Sequence, residues 1–125
     1  MITKRSGKFQ PEALFAHSES SVFKVYKRFE MLVRSIGPVT IIPQKARVAF
    51  QVRTRFVSAY PRKSHLLVGF DFARKVSSPR FHKIEQYGRH TFTHYLRVEK
   101  EEDFDEELIG WIRESYQVGQ QMHVQ

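Results

Sequence analysis

The sequence predicts an α+β domain: a single antiparallel sheet of about five or six strands, flanked by an N-terminal and a C-terminal amphipathic helix. Three observations predict it. Apolar residues recur at spacings of three and four near each end of the domain, they alternate with polar residues between, and the alternating segments are joined by short connections. Parallel neighbours need crossovers of about a dozen residues, so short connections demand mostly antiparallel pairing. Two amphipathic helices then cover one face of the sheet.

Residues 1–10 are expected as a basic, poorly ordered lead-in, 11–121 as one domain, and 122–125 as a frayed tail. After Pro11, residues 12–15 supply a short turn that packs Leu14 and Phe15 onto the core. Ser18 is the expected N-cap of a helix over 19–36. Its stripe is Val22, Val25, Phe29, Leu32 and Ile36, joined by Tyr26 and Val33, while Lys24, Lys27, Arg28 and Arg34 lie largely off it. Gly37-Pro38 then stops the helix.

From Val39 the period changes to two. A strand over 39–42 closes at Pro43, and Val48, Phe50 and Val52 alternate with polar or small residues over 46–52. One strand from 46 to 60 would span roughly 50 Å, so the chain must break near Arg53-Thr54 and resume at 55–60. A turn at 61–64 leads into 65–73, where Leu66, Val68, Phe70 and Phe72 share a face. After a polar loop to Pro79, strands over 82–87 and 90–98 flank Gly88. Asp103, with Glu106 three residues on, resembles a capping box and opens the last helix. Phe104, Leu108, Trp111, Ile112 and Tyr116 form that helix's apolar face, which ends near Gly119.

With 125 residues the chain can bury a single core, and without cysteine it has no disulfide scaffold, thiolate nucleophile or thiolate metal site. No apolar run reaches the roughly 18 residues of a membrane span, and the basic start lacks the apolar stretch of a secretory signal. A cytoplasmic protein is the expectation. Charge is uneven: residues 1–98 carry +14 and residues 99–114 carry −6, for a net +8. Such a field attracts polyanions, although it equally serves to solubilise an aromatic-rich domain.

Several stretches carry a family resemblance. They are Gly37-Pro38-Val39-Thr40, Pro43-Gln44-Lys45-Ala46-Arg47-Val48-Ala49-Phe50-Gln51, Arg80-Phe81-His82-Lys83-Ile84-Glu85, His94-Tyr95-Leu96-Arg97, and the segments 105–108 and 115–119. In that order, over about residues 12–121, they resemble the uncharacterised bacterial family known as domain of unknown function 5655. The layout is more distantly similar to the small α+β domains of the YdhG and YjbR kind. The resemblance implies the fold and brings no reaction; such domains also occur fused to others, which suits an accessory unit.

Candidate chemistry is sparse. His90 and His94 stand four apart, which on a strand separates their Cα atoms by about 13 Å, too far for one ion. His94 shares a face with Phe92 and Leu96, which fits a hydrogen-bonded core histidine or a polar group in a cleft. No Gly-x-Ser-x-Gly, phosphate loop or dinucleotide fingerprint occurs, and Ser18, Ser20 and Ser21 suit helix capping. Asp71 lies between Phe70 and Phe72 but points to the other strand face, toward solvent or an arginine partner. The acids of 99–107 lack a calcium-loop pattern and suit a helix N-terminus.

What remains is a basic hairpin: Lys45, Arg47, Gln51, Arg53, Arg55, Arg62 and Lys63, with Phe56 and Tyr60 interleaved. Guanidinium forks bind phosphate or carboxylate at two points, and the aromatics can stack on bases. The binding candidates are therefore Lys45, Arg47, Gln51, Arg53, Arg55, Tyr60, Arg62, Lys63 and His94, with no catalytic or metal residue and no cofactor expected. The leading expectation is a non-catalytic binding or accessory module whose basic sheet face takes an anionic partner, nucleic acid first. The alternative is a protein-interaction or homodimerising module that pairs this face with the acidic 99–107 segment. An enzyme or small-ligand pocket around His94 and Arg97 comes last.

Overall fold

A computed structural model of the chain describes residues 3–5 and 10–121. The remainder of the expected lead-in, residues 1, 2 and 6–9, and the tail at 122–125 lie outside the described residues. Strands β1 (Thr3–Arg5), β2 (Val39–Pro43), β3 (Val48–Gln51), β4 (Arg55–Pro61), β5 (Leu66–Phe72), β6 (Lys83–Tyr87) and β7 (Thr91–Val98) form one sheet in the order β1-β2-β3-β4-β5-β7-β6. Helix α1 (Ser20–Ile36) precedes β2, and α2 (Glu106–Gly119) follows β7. Strands β2 to β7 pair antiparallel, as the short connections require. The sheet also has a member that the sequence did not suggest: β1 runs parallel to β2, within the segment expected to be poorly ordered. It covers the backbone groups that β2 would otherwise leave open on its outer edge.

The interior lies between one sheet face and the two helices. Val39, Ile41, Val48, Phe50, Ala59, Leu66, Val68, Phe70, Leu96 and Val98 are buried there with Val22, Val25, Phe29, Val33, Leu108 and Ile112. Phe29 of α1 meets Phe50 edge-on at 5.4 Å between ring centroids and stacks on Phe104 at 6.2 Å, which ties α1 to both the sheet and the approach to α2. Each large side chain removed from water here contributes roughly 1.5–3 kcal/mol. Among the described residues no helix is long and apolar enough to cross a membrane.

Both helix starts differ from the sequence expectation. Glu19, not Ser18, occupies the N-cap of α1, because the Ser18 hydroxyl donates to the Arg62 carbonyl instead. Asp105, not Asp103, caps α2 and accepts from the Leu108 amide at 2.9 Å. Asp103 instead belongs to a 3-10 turn, Glu101–Asp103, and accepts from the Glu99 and Lys100 amides. Acidic residues were plentiful enough in this stretch that a cap two residues later was equally well supplied.

The predicted break between β3 and β4 is a bulge held from outside the sheet. Phe50 faces Val57 but Gln51 faces Arg55, a shift of one residue. The amides of Arg53 and Thr54 both donate to the Gly119 carbonyl at the end of α2, at 2.9 and 3.0 Å. Phe56 is thereby turned against Tyr116 of the same helix, with ring centroids 5.4 Å apart. A Cβ on Gly119 would stand 2.6 Å from Phe56 Cδ1 and 3.0 Å from its Cβ. Gly119→Ala therefore forces Phe56 aside and is expected to cost roughly 1–3 kcal/mol by urea denaturation. Stability equal to the parent would show that this contact does not fix the bend.

Candidate functional site

The alternation that seals one sheet face determines what stands on the other. Ser58, Gly69, Tyr95 and Lys83 lie in register across β4, β5, β7 and β6, with Asp71, Thr93 and Glu85 in the row beside them. Tyr60, Leu67 and Arg97 form the row on the opposite side. No helix packs over these rows, and they enclose a recess of about 370 Å³ whose rim includes Arg47, Arg55, Tyr60, Tyr87 and Thr91. Gly69 forms the floor. A Cβ there would stand 3.0 Å from Tyr95 Cε1 and 3.3 Å from Thr93 Cγ2, so its absence lets the Tyr95 ring lie across the strand.

Arg47, immediately before β3, is held by its neighbours rather than by a carboxylate. Its Nε donates to Gln44 Oε1 at 2.7 Å and its Nη1 to Tyr60 Oη at 3.0 Å. Its guanidinium lies 5.9 Å from the Tyr60 ring centroid, and that of Arg62 lies 5.7 Å from the same ring, both within cation–π range. Arg55, the first residue of β4, is exposed at the rim.

Four other basic side chains are neutralised locally. Arg74 pairs with Glu114 at 2.9 Å, Arg34 with Glu30 at 3.6 Å, and Lys83 with Glu85 at 3.1 Å. Arg80 pairs with Asp105 and Glu107 at 3.0 and 2.9 Å while lying over the Trp111 ring. Among the described residues Arg47, Arg55 and Arg62 form no salt bridge. Part of the acidic segment is engaged in turn: Asp105 and Glu107 hold Arg80, and Asp103 holds backbone amides.

Two carboxylates complete the face. Thr93 Oγ1 donates to Asp71 Oδ1 at 2.6 Å. Burial pushes the Asp71 carboxyl up to about 6, against the lowering influence of that hydrogen bond and of the Arg47 charge. Glu85 Oε1 accepts from Tyr87 Oη at 2.8 Å and Tyr95 Oη at 3.0 Å. Those bonds, with Lys83, hold its carboxyl below the usual range, whereas burial first and then hydrogen bonding push the Tyr95 hydroxyl up. The face thus offers to an anion guanidinium groups that form no salt bridge, to a planar group tyrosine rings, and to an N–H donor the Asp71 carboxylate. Among the described residues no cluster of three or more His, Asp or Glu side chains could hold a metal ion.

The structure brings together Arg47, Arg55 and Tyr60 from the predicted set, with Arg62 on the far side of Tyr60. Lys45, Arg53 and Lys63 are exposed outside the recess, and Gln51 is half-buried and does not line it. His94 is on the helix-facing side and fully buried. Its Nε2 accepts from the Val76 amide at 2.8 Å, so Nδ1 bears the proton and donates to the Phe92 carbonyl at 3.0 Å. Burial lowers its pKa, and it packs against the Phe72 and Phe81 rings as a neutral core residue. Asp71, Gly69, Thr93 and Tyr95 were not among the predicted site residues. The alternation carried their signal, since residues that share a face with neither Phe70 nor Phe72 must meet across β5 and β7.

Asp71 makes stability depend on pH in a defined direction. Its folded-state pKa is above the unfolded value of 3.8, so its contribution is full below about 3.8 and is lost as pH rises through about 6. Asp71→Asn keeps an acceptor for Thr93 and removes the buried charge. The variant is expected to exceed the parent at pH 8 by an amount on the order of 2 kcal/mol, with the gap closing toward pH 4, in denaturation curves taken across that range. A gap independent of pH would contradict the burial of this carboxylate.

Residues 12–119 match the family described as Domain of unknown function (DUF5655). No curated protein and no solved structure shows significant similarity to the chain. The match spans α1, α2 and β2 to β7, and so covers the recess as well as the core. The chain therefore belongs to the DUF5655 family.

Proposed function

We propose that the protein is a non-catalytic binding module of the cytoplasm whose open sheet face takes an anionic partner, with single-stranded nucleic acid as the partner class. The observation that carries this reading is the placement of two arginines without a salt bridge beside tyrosine rings at one recess. Among the described residues Arg34, Arg74 and Arg80 are matched to carboxylates, whereas Arg47 and Arg55 form no salt bridge and stand together around a recess walled by tyrosines. A phosphate at the Arg47–Arg55 rim leaves its base to lie against Tyr60 or Tyr95, with Asp71 able to accept from a base amino group.

A single strand suits a recess better than a duplex, whose bases are already stacked and paired. Stacking of one base on an aromatic ring is worth roughly 1–3 kcal/mol, and the guanidinium contacts add an electrostatic part that salt weakens. Arg47 is also pre-positioned: two hydrogen bonds hold its fork, so less side-chain freedom is lost on binding.

The test is fluorescence anisotropy with a labelled ten-residue oligothymidylate. Binding is expected to weaken steeply as salt rises, and the double variant Arg47→Gln/Arg55→Gln is expected to lose about tenfold or more in affinity. Lys45→Gln, in an exposed turn outside the recess, is expected to change affinity less than about threefold. A double variant that binds as tightly as the parent would overturn the assignment.

A further inference from the structure

The recess has a neighbour. On the other side of Tyr60 and Tyr95 lies a second hollow of about 270 Å³, lined by those two tyrosines with Arg62, Leu67, His82 and Lys83. The two rings stand 6.3 Å apart between centroids with their planes at 51°, and together they are the wall common to both hollows.

The chemistry repeats across that wall. Tyr60 carries one guanidinium into each hollow, Arg47 into the first and Arg62 into the second. Tyr95 carries the Lys83 ammonium at 5.6 Å from its ring into the second. The floor of the first hollow is Gly69 and that of the second is Leu67, two residues earlier on the same side of β5. Arg62 has no salt bridge among the described residues, and Lys83 shares its charge with Glu85. Cation and strand floor therefore occur twice, on either side of one shared aromatic wall, as a ligand with a repeating backbone would require.

We infer that the two hollows are consecutive nucleotide subsites, so that the face binds a single strand through at least two adjacent nucleotides. The backbone crosses at the Tyr60–Tyr95 wall, with one phosphate at Arg47 and Arg55 and the next at Arg62 and Lys83. The shared tyrosine wall then offers a stacking surface to a base in either hollow. This inference rests on the proposed function, because it extends the same site to a second residue of the same ligand.

The test compares thymidine 5′-monophosphate with the dinucleotide pdTpdT by isothermal titration calorimetry, using the full chain. The parent is expected to bind the dinucleotide at least about tenfold tighter than the mononucleotide. In Arg62→Gln/Lys83→Gln that ratio is expected to fall to about one, while in Arg47→Gln/Arg55→Gln both ligands weaken. Thermal midpoints of each variant separate loss of a subsite from loss of the fold. If the parent binds both ligands equally, or the Arg62→Gln/Lys83→Gln variant keeps the full ratio, the second subsite is refuted and the single anion site stands. If neither ligand nor a longer oligothymidylate binds, the proposed function falls with it.

Discussion

The open face of the sheet is held in place by what is sealed on the other. Burying the apolar residues of β2 to β5 and β7 beneath α1 and α2 sets the strand register, and a strand so registered has no choice about its alternate residues. Ser58, Gly69, Asp71, Thr93 and Tyr95 meet because Val57, Phe70, Leu96 and their neighbours must face the helices. A slip of one residue in β5 would place Asp71 in the interior and Phe70 in water. The hydrophobic term thus fixes the recess without contributing one of its polar groups.

The end of α2 adds a second constraint. The Gly119 carbonyl takes both amides of the bend after β3, Phe56 fills the space that a side chain on Gly119 would occupy, and Arg55 follows at the rim. On the opposite edge, Arg80 is drawn to Asp103, Asp105 and Glu107 over the Trp111 ring, which secures the loop before β6. Part of the acidic segment is used to anchor the loop and cap the helix, while Arg47, Arg55 and Arg62 of the open face form no salt bridge among the described residues.

Much of this was legible in the sequence, because periodicity is a local signal. The change from spacings of three and four to alternation after Gly37 located α1 and β2, and the length limit on a strand located the bend at 53–54. The family resemblance likewise agreed with the match over residues 12–119. The parallel pairing of Thr3–Arg5 with β2 was not legible, since three residues carry too little pattern and their partner is distant in sequence. The helix caps slipped because Ser18 found the Arg62 carbonyl, a partner only the tertiary structure supplies, and Asp103 turned back to the Glu99 and Lys100 amides just before it. For the site, Arg47, Arg55, Tyr60 and Arg62 stood out by charge and interleaving, but Lys45, Arg53 and Lys63 differ from them only in direction. His94 stood out by chemistry and proved to be core, because the two groups that satisfy it, the Val76 amide and the Phe92 carbonyl, are invisible to spacing.

The central claim is that unpaired guanidinium groups beside tyrosines make the helix-free face of this sheet the binding surface. The most direct measurement is a map of backbone amide shifts in a ¹⁵N-labelled sample during titration with a short single-stranded oligonucleotide. The account predicts changes concentrated at Ser58, Gly69, Thr93 and Tyr95, with the amides of α1 left still. Changes gathered on α1 and α2, with the four sheet positions unmoved, would contradict it.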